Sequence, residues 1–456
     1  MPLTKPHTPR MIDLFLVNSV SKYYQICDVS RQIERLRAQS LVLSKQFRLN
    51  NTTNASYQCL DLDASGCEQY LVCGAVDGSI SLYDLEQSVE TSEYGKSIPI
   101  SPVANIKRSS KYAHSFSVTS ARFYPCDPAV FYTSGSDGCV KVWDTNAMKP
   151  VDDYRFKTAV SQIDISHAPD GKKSLVAVAS GHSTVNIIDV VTGSNVQNLL
   201  KGHTASTAVT GTPGHGGITE RVVCLRWSPR DANIIFTGGS DGQLIAWDVR
   251  SAKSLLKSLK CRSLTRDCTN KYLADRAHTG SVCSIAFTPD GLYTVSVGSE
   301  GRMKLWNASR LTQISKTTYP KLASMPNLRS LGISVAPQVL PQQCIFVPNS
   351  TKIEMIAVRS GRCLSPLIGH YQPVTGVAWR HCRQQLFSVA NDRFCFAWVP
   401  RVDENALRCE MMESFEGADP ADQDGRIDLK SDTLAGGEVG ADLLEDAWSD
   451  EGDAEF

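Results

Sequence analysis

One spacing constrains this chain more than any other: an acidic turn residue followed six positions later by an aromatic. It joins Asp77 to Tyr83, Asp137 to Trp143, Asp241 to Trp247, Glu300 to Trp306 and Asp392 to Trp398. The text around each pair repeats as "GAVDGSISLYD" (74–84), "GSDGCVKVWD" (135–144), "GSDGQLIAWD" (239–248), "GSEGRMKLWN" (298–307) and "ANDRFCFAW", ending at Trp398. A divergent copy, "GHSTVNIID", lies at 181–189. Asp-Gly chemistry at the turn joins two short strands into a hairpin. Side chains on a strand alternate with period two, so six residues on the aromatic always returns to the same face. The chain is therefore an array of one hairpin-based unit, each copy needing its neighbours to bury its apolar faces.

Histidines precede several copies at a near-constant distance. His114, His278 and His370 lie 23, 22 and 22 residues before their turn acids, room for a strand, a turn and a second strand. A buried histidine, the turn acid and the strand aromatic are expected to share one hydrogen-bond network, because buried polar groups need partners. The predicted locking groups are His114 with Asp137 and Trp143, His278 with Trp306, and His370 with Asp392 and Trp398. Asp241 belongs to the fourth unit, where the insertion "TASTAVTGTPGHGGIT" leaves His203 and His215 as alternative histidines. The third unit departs from the pattern, with Gly181-His182 at the turn and Ile188 at the aromatic position. Since the repeat register dictates where these residues stand, their role is read as structural, not catalytic or metal-binding.

These units resemble the WD-repeat family, which implies an all-β, seven-bladed β-propeller with four strands per blade. The seven units span roughly 57–100, 112–155, 157–200, 203–260, 278–315, 340–369 and 370–399, the sixth without a clear signature. "LVLSKQFRLN" (41–50) is expected to pair with the last unit and close the ring, so that no strand edge stays open. The connections 251–277 and 308–339 read as surface excursions. The expected domains are a helical arm over 1–40, a propeller over 41–400 and a disordered acidic tail over 401–456. In the arm, "DVSRQIERLRAQS" sets Val29, Ile33 and Leu36 on one helical face behind a capping Asp28 or Ser30. That face either packs on the propeller or docks into a partner. Trp448, set among acids near the end of the tail, suits a short linear binding motif.

Charge divides the chain: residues 401–456 hold 18 Asp/Glu and 4 Lys/Arg, leaving 43 basic and 29 acidic residues before them. A basic body with an acidic tail suits either a plain solvating tail or work near nucleic acid and chromatin. Fifteen cysteines include no Cys-x-x-Cys pair, which argues against zinc and redox motifs and for a reducing compartment. Cys139, Cys224, Cys283 and Cys395 fall in strand-like runs as small core hydrophobes. No apolar run is long enough for a membrane helix, and no nucleotide-binding, zinc-protease or nucleophile-elbow motif occurs. A binding module is expected rather than an enzyme, with no cofactor, metal or small-molecule ligand. "KRSSK" (107–111) is a weak nuclear localisation run.

Arg250 is the residue that repeat chemistry does not require. It follows an intact Trp247-Asp248 pair by two positions, where other units hold Glu86, Asn146, Val191 and Ser309. The string "FTGGSDGQLIAWDVR" resembles the docking box of cullin-RING ligase substrate receptors. "VTSARFYPCDPAVFYTSGSDGCVKVWDTN", "GHYQPVTGVAWRHCRQQLFSVANDRFCFAWVP" and the tail's "EDAWSDEG" are similar to the Cockayne syndrome A family of such receptors. The resemblance implies a non-catalytic receptor acting in transcription-coupled nucleotide excision repair in the nucleus. It implies docking to the ligase adaptor (the large subunit of the damaged-DNA-binding complex) through Trp247, Asp248, Val249 and Arg250, with Ile33 and Leu36 of the arm. Cullin and RING subunits, a Swi2/Snf2 ATPase of the Cockayne syndrome B type and RNA polymerase II are the further partners it implies.

Overall fold

Within each repeat the apolar runs pair as antiparallel hairpins across the acid-bearing turn. Ile235 lies opposite Trp247, and Phe131 opposite Trp143. The computed structural model describes residues 37–401 except 39, 65, 87–97, 167–173, 182–183, 191, 200–220, 252–254, 261–275, 325–329 and 337–342. Seven sheets form. Their opening strands are Tyr57–Leu62, Val118–Tyr124, Val160–Ile165, Val222–Trp227, Val282–Phe287, Ser334–Val335 and Val374–Arg380. Each opening strand adjoins that of the next sheet, and the seventh adjoins the first, so together they line the axis of a closed ring. The protein is a seven-bladed β-propeller.

The ring closes between distant parts of the chain, as the sequence suggested. Leu41–Leu49 runs antiparallel to Cys395–Pro400, with Leu43 opposite Trp398 and Leu49 opposite Cys395. Ile98–Ile100 then adds in parallel outside it, Phe47 opposite Ile98. Without this strand the edge of Cys395–Pro400 would present unpaired backbone groups.

The core lies between blades. Strands such as Tyr70–Ala75 are buried on both faces and therefore read as apolar runs instead of alternating ones. Trp143, Trp247, Trp306 and Trp398 are all fully buried, and Trp143 stacks on Phe131 at 5.8 Å in a cluster that includes Val72 and Leu82 of the first blade. The turn glycines also hold the blades together. Gly78 (φ +91°) and Gly242 (φ +78°) have left-handed backbones, and a Cβ there would lie 2.0 and 2.4 Å from the carbonyl oxygens of His114 and His278 in the following blade.

Two connections differ from expectation. In 251–277, Leu255–Leu259 is the outer strand of the fourth blade and Ala277 is buried. In 308–339, Thr312–Gln313 completes the fifth blade and Ser334–Val335 opens the sixth, with Leu322 and Ile333 buried. A two-residue strand carries too little alternation to be seen in sequence, and the sixth unit has no turn acid to mark its register. The third blade keeps its sheet by a matched exchange: Val178 and Ile188, both buried, stand where the second blade has Thr133 and Trp143. Of the cysteines expected in the core, Cys224, Cys283 and Cys395 are buried and Cys139 is half-buried.

Candidate functional site

Three blades carry the predicted histidine network, with one member that the sequence reading missed. His114 Nδ1 lies 3.1 Å from both Asp137 oxygens, and its Nε2 lies 2.9 Å from Thr133 Oγ1, which accepts the Trp143 indole N–H at 2.8 Å. In the fifth blade His278 meets Glu300 at 2.8 Å and Ser296 at 2.7 Å, and Trp306 donates to Ser296 at 2.8 Å. In the seventh, His370 meets Asp392 at 2.7 Å and Ser388 at 2.8 Å, and Trp398 donates to Ser388 at 2.8 Å. The missed hydroxyl sits ten residues before its tryptophan every time, a spacing visible in the sequence once sought.

In each chain the indole N–H donates to the hydroxyl, and the histidine ring bridges that hydroxyl and the carboxylate. A neutral imidazole with its proton on Nδ1 serves both of its bonds. Burial pulls the His278 pKa down and favours that form. Burial opposes ionisation of Glu300, but the His278 hydrogen bond and the Gly280 N–H outweigh it and hold the carboxyl at about 2. Asp137 is held at about 2 in the same way, against burial, by His114 and the N–H groups of Cys139 and Ser115. Ser388, His370 and Asp392 have the residue types of a hydrolytic triad. Yet Ser388, Ser296 and Thr133 are wholly buried and already accept an indole proton, so the arrangement locks a blade.

Other blades satisfy the same need differently. Trp247 donates to Thr237 at 2.7 Å, and Asp241 is buried, while His203 and His215 lie outside the described residues. In the first blade Tyr57 and Tyr83 share a 2.7 Å hydrogen bond, Tyr57 reaches Ser81, and Tyr83 donates to the Asn50 carbonyl.

The rim residues divide sharply. Trp247 is 1 % exposed, and Val249 is half-buried, packed against the core between the third and fourth blades. Asp248 and Arg250 do reach the surface. Asp248 Oδ1 accepts the Arg250 backbone N–H at 2.9 Å, and Asp144 makes the same bond to Asn146 in the second blade. This cap explains the aspartate of the pair. What is particular to the fourth blade is the side chain: Arg250 Nε and Nη2 bind the two Asp248 oxygens at 3.0 and 2.8 Å, and Nη2 lies 3.7 Å from Asp231. The fork expected to point outward is thus closed along one edge, leaving Nη1 open on a side chain 60 % exposed. The paired arginine holds the Asp248 carboxyl below its ordinary range.

The channel carries a charge alternation absent from the sequence reading. Asp61, Arg122, Asp164 and Arg226 occupy matched positions on the first four opening strands, each one residue before that strand pairs Leu62, Phe123, Ile165 or Trp227 with its neighbour. Arg122 bonds Asp61 at 2.6 Å and lies 3.3 Å from Asp164, which Arg226 meets at 3.1 Å. The second oxygens of Asp61 and Asp164 accept the N–H groups of Phe123 and Trp227. Burial pushes the Asp164 carboxyl up to about 6 despite Arg122. A cavity of about 440 Å³ opens beside this ladder, lined also by Trp227 and Trp379. Only alignment of the four strands makes the alternation apparent.

Ile33, Leu36 and Trp448 lie outside the described residues. At the end of the arm, Ala38 is buried against the seventh blade's core, and Arg37 Nε donates to Gln384 at 3.0 Å. Among the described residues no cluster of His, Cys, Asp and Glu could hold a metal, and no helix is long and apolar enough to cross a membrane.

The family described as "WD domain, G-beta repeat" matches residues 106–144, 193–248, 268–307 and 361–398. The chain is similar to WD repeat-containing protein ATCSA-1 of Arabidopsis thaliana, 24 % identical over 446 residues, covering 83 % of this chain and 93 % of the relative. Radiation-sensitive protein 28 of Saccharomyces cerevisiae is 27 % identical over 206 residues, covering 42 % and 38 %. Nuclear distribution protein PAC1 of Arthroderma otae is 23 % identical over 325 residues, covering 66 % and 62 %.

Proposed function

We propose that this seven-bladed propeller of WD repeats is the substrate receptor of a cullin-RING ubiquitin ligase acting in transcription-coupled nucleotide excision repair in the nucleus. A WD-repeat propeller is a scaffold for protein–protein contacts, and the near full-length likeness to ATCSA-1 favours this receptor class over scaffolds matched only across part of their length. Arg250 carries the site assignment. It is exposed beside a buried tryptophan, is not needed by the blade, and is held by Asp248 through Nε and Nη2, which leaves Nη1 without a bond to that carboxylate. Such a preorganised guanidinium suits a partner's carboxylate or carbonyl oxygens. The arm around Ile33 and Leu36 supplies the second contact with the adaptor. The receptor performs no bond chemistry. It holds a repair factor or stalled RNA polymerase II, with the Swi2/Snf2 ATPase, where effective concentration brings a target lysine to ligase-bound ubiquitin.

Affinity purification of the full chain from cells, probed for adaptor and cullin, tests this reading. Capture of both supports it, and capture of neither assigns the chain to non-ligase scaffolds of chromatin or RNA processing. Loss of capture on deleting 1–40 but not with Arg250→Ala would place the contact in the arm alone.

A further inference from the structure

A second surface stands on the turn face, away from the Trp-Asp rim. Between the first and second blades a cavity of about 470 Å³ is lined by Val76, Asp77, Arg108 and Phe116, with Ser117 and Ser136 among the hydroxyls at its edge. Phe116 is 65 % exposed, and Val76 38 %. The "KRSSK" run forms part of this loop, its Lys107, Arg108 and Lys111 exposed. Among the described residues none of these cations has an ion pair; Lys111 only lies over the Tyr112 ring at 4.9 Å.

We infer that this cavity is a docking site for an acidic linear peptide carrying one large apolar side chain. The volume and the Phe116 and Val76 walls suit a single aromatic or leucine side chain, and Arg108 at the wall, with Lys107 and Lys111 exposed in the same short run, calls for carboxylates. Asp77 favours a peptide over DNA. Its Oδ1 takes the Ser79 N–H and hydroxyl at 3.0 and 2.5 Å, which leaves Oδ2 as an acceptor for a backbone N–H, a donor that a deoxyribose-phosphate backbone lacks. One exposed aromatic is also too few for a base-stacking platform. The surface is independent of Arg250, so its test does not depend on the ligase assignment.

The test is fluorescence anisotropy on the full chain with a fluorescein-labelled peptide of one tryptophan flanked by Glu and Asp. Control probes replace tryptophan by alanine, replace the acids by lysine, or substitute labelled oligothymidine. The expected result is salt-sensitive binding of the first probe, weakened roughly tenfold by Arg108→Glu and by Phe116→Ser, as for loss of a charged or apolar anchor. Arg250→Ala should bind as wild type, and thermal melts of both cavity variants should match it. Absence of binding to wild type, equal binding by the cavity variants, or tighter binding of oligothymidine at the same residues would each overturn the inference.

Discussion

Arg250 and Asp248 form a two-bond, closed pair at the edge of the fourth blade, with Nε and Nη2 at 3.0 and 2.8 Å from the two carboxylate oxygens. The pair is exposed, so its contribution to stability is small, while its geometry fixes where the remaining donors point. Arg250→Ala should leave the melting temperature unchanged and weaken adaptor capture roughly tenfold. Arg250→Lys should not restore capture, because an ammonium cannot make the two parallel bonds to Asp248 and still present a planar donor outward. Equilibrium binding of purified adaptor to the three proteins checks this.

The hydroxyl at the centre of each lock should matter as much as the histidine. Ser388→Ala leaves His370 Nε2 and Trp398 Nε1 buried without their shared partner. The expected cost is about 2–4 kcal/mol in chemical denaturation, with Ser388→Thr recovering most of it, since the second blade uses Thr133 at the same position.

Acid should loosen the same locks. Glu300 titrates in the fold at about 2, below the ordinary glutamate range. A depressed carboxyl stabilises fully above its unfolded pKa and loses that contribution as pH falls from about 4.3 towards the folded value. Glu300→Gln should therefore flatten the pH dependence of the melting temperature between about 4.3 and 2. Asp164 acts with the opposite sign: its carboxyl, raised to about 6, contributes stability at low pH that fades as pH rises through about 4 to 6. Asp164→Asn should remove that fall, and melts taken at closely spaced pH values separate the two windows.

The seam between the seventh and first blades rests on a buried charge. Arg380 is 1 % exposed and bonds Glu86 and the Cys67 carbonyl, while Arg383 reaches the same glutamate at 3.1 Å. Glu86→Ala should destabilise by about 1–3 kcal/mol, because it removes the carboxylate partner of a buried guanidinium that keeps only the neutral Cys67 carbonyl and Gln385 amide. Adding Arg380→Met should recover much of that loss, and a double-mutant cycle by denaturant unfolding measures the coupling.

What could be read beforehand was whatever the repeat writes several times over. The register from Asp137 to Trp143 recurs at Asp241 and Trp247, so turn, strand pair and buried aromatic were each legible from local spacing. The closing strand Leu41–Leu49 was legible because a seventh blade lacking an edge partner demands one. Ser334–Val335 was not, since two residues carry no periodicity. Nor was the fate of the site: "WDVR" reads as four rim residues, yet pairing with Ile235 buries Trp247, and Val249, just past the strand, packs half-buried against the core.

Sequence alone determined the blade, because hairpin chemistry acts between residues a few positions apart and repeats wherever the spacing repeats. Tertiary structure decided everything that depends on residues brought together from different blades. Asp61, Arg122, Asp164 and Arg226 are isolated charges along the chain and become one ladder only when four strands converge on an axis. Arg250 is an exception in the text for the same reason it stands out on the surface: no blade needs it. Only the folded rim, with Asp248 in reach, fixes which of its nitrogens is left to meet a partner.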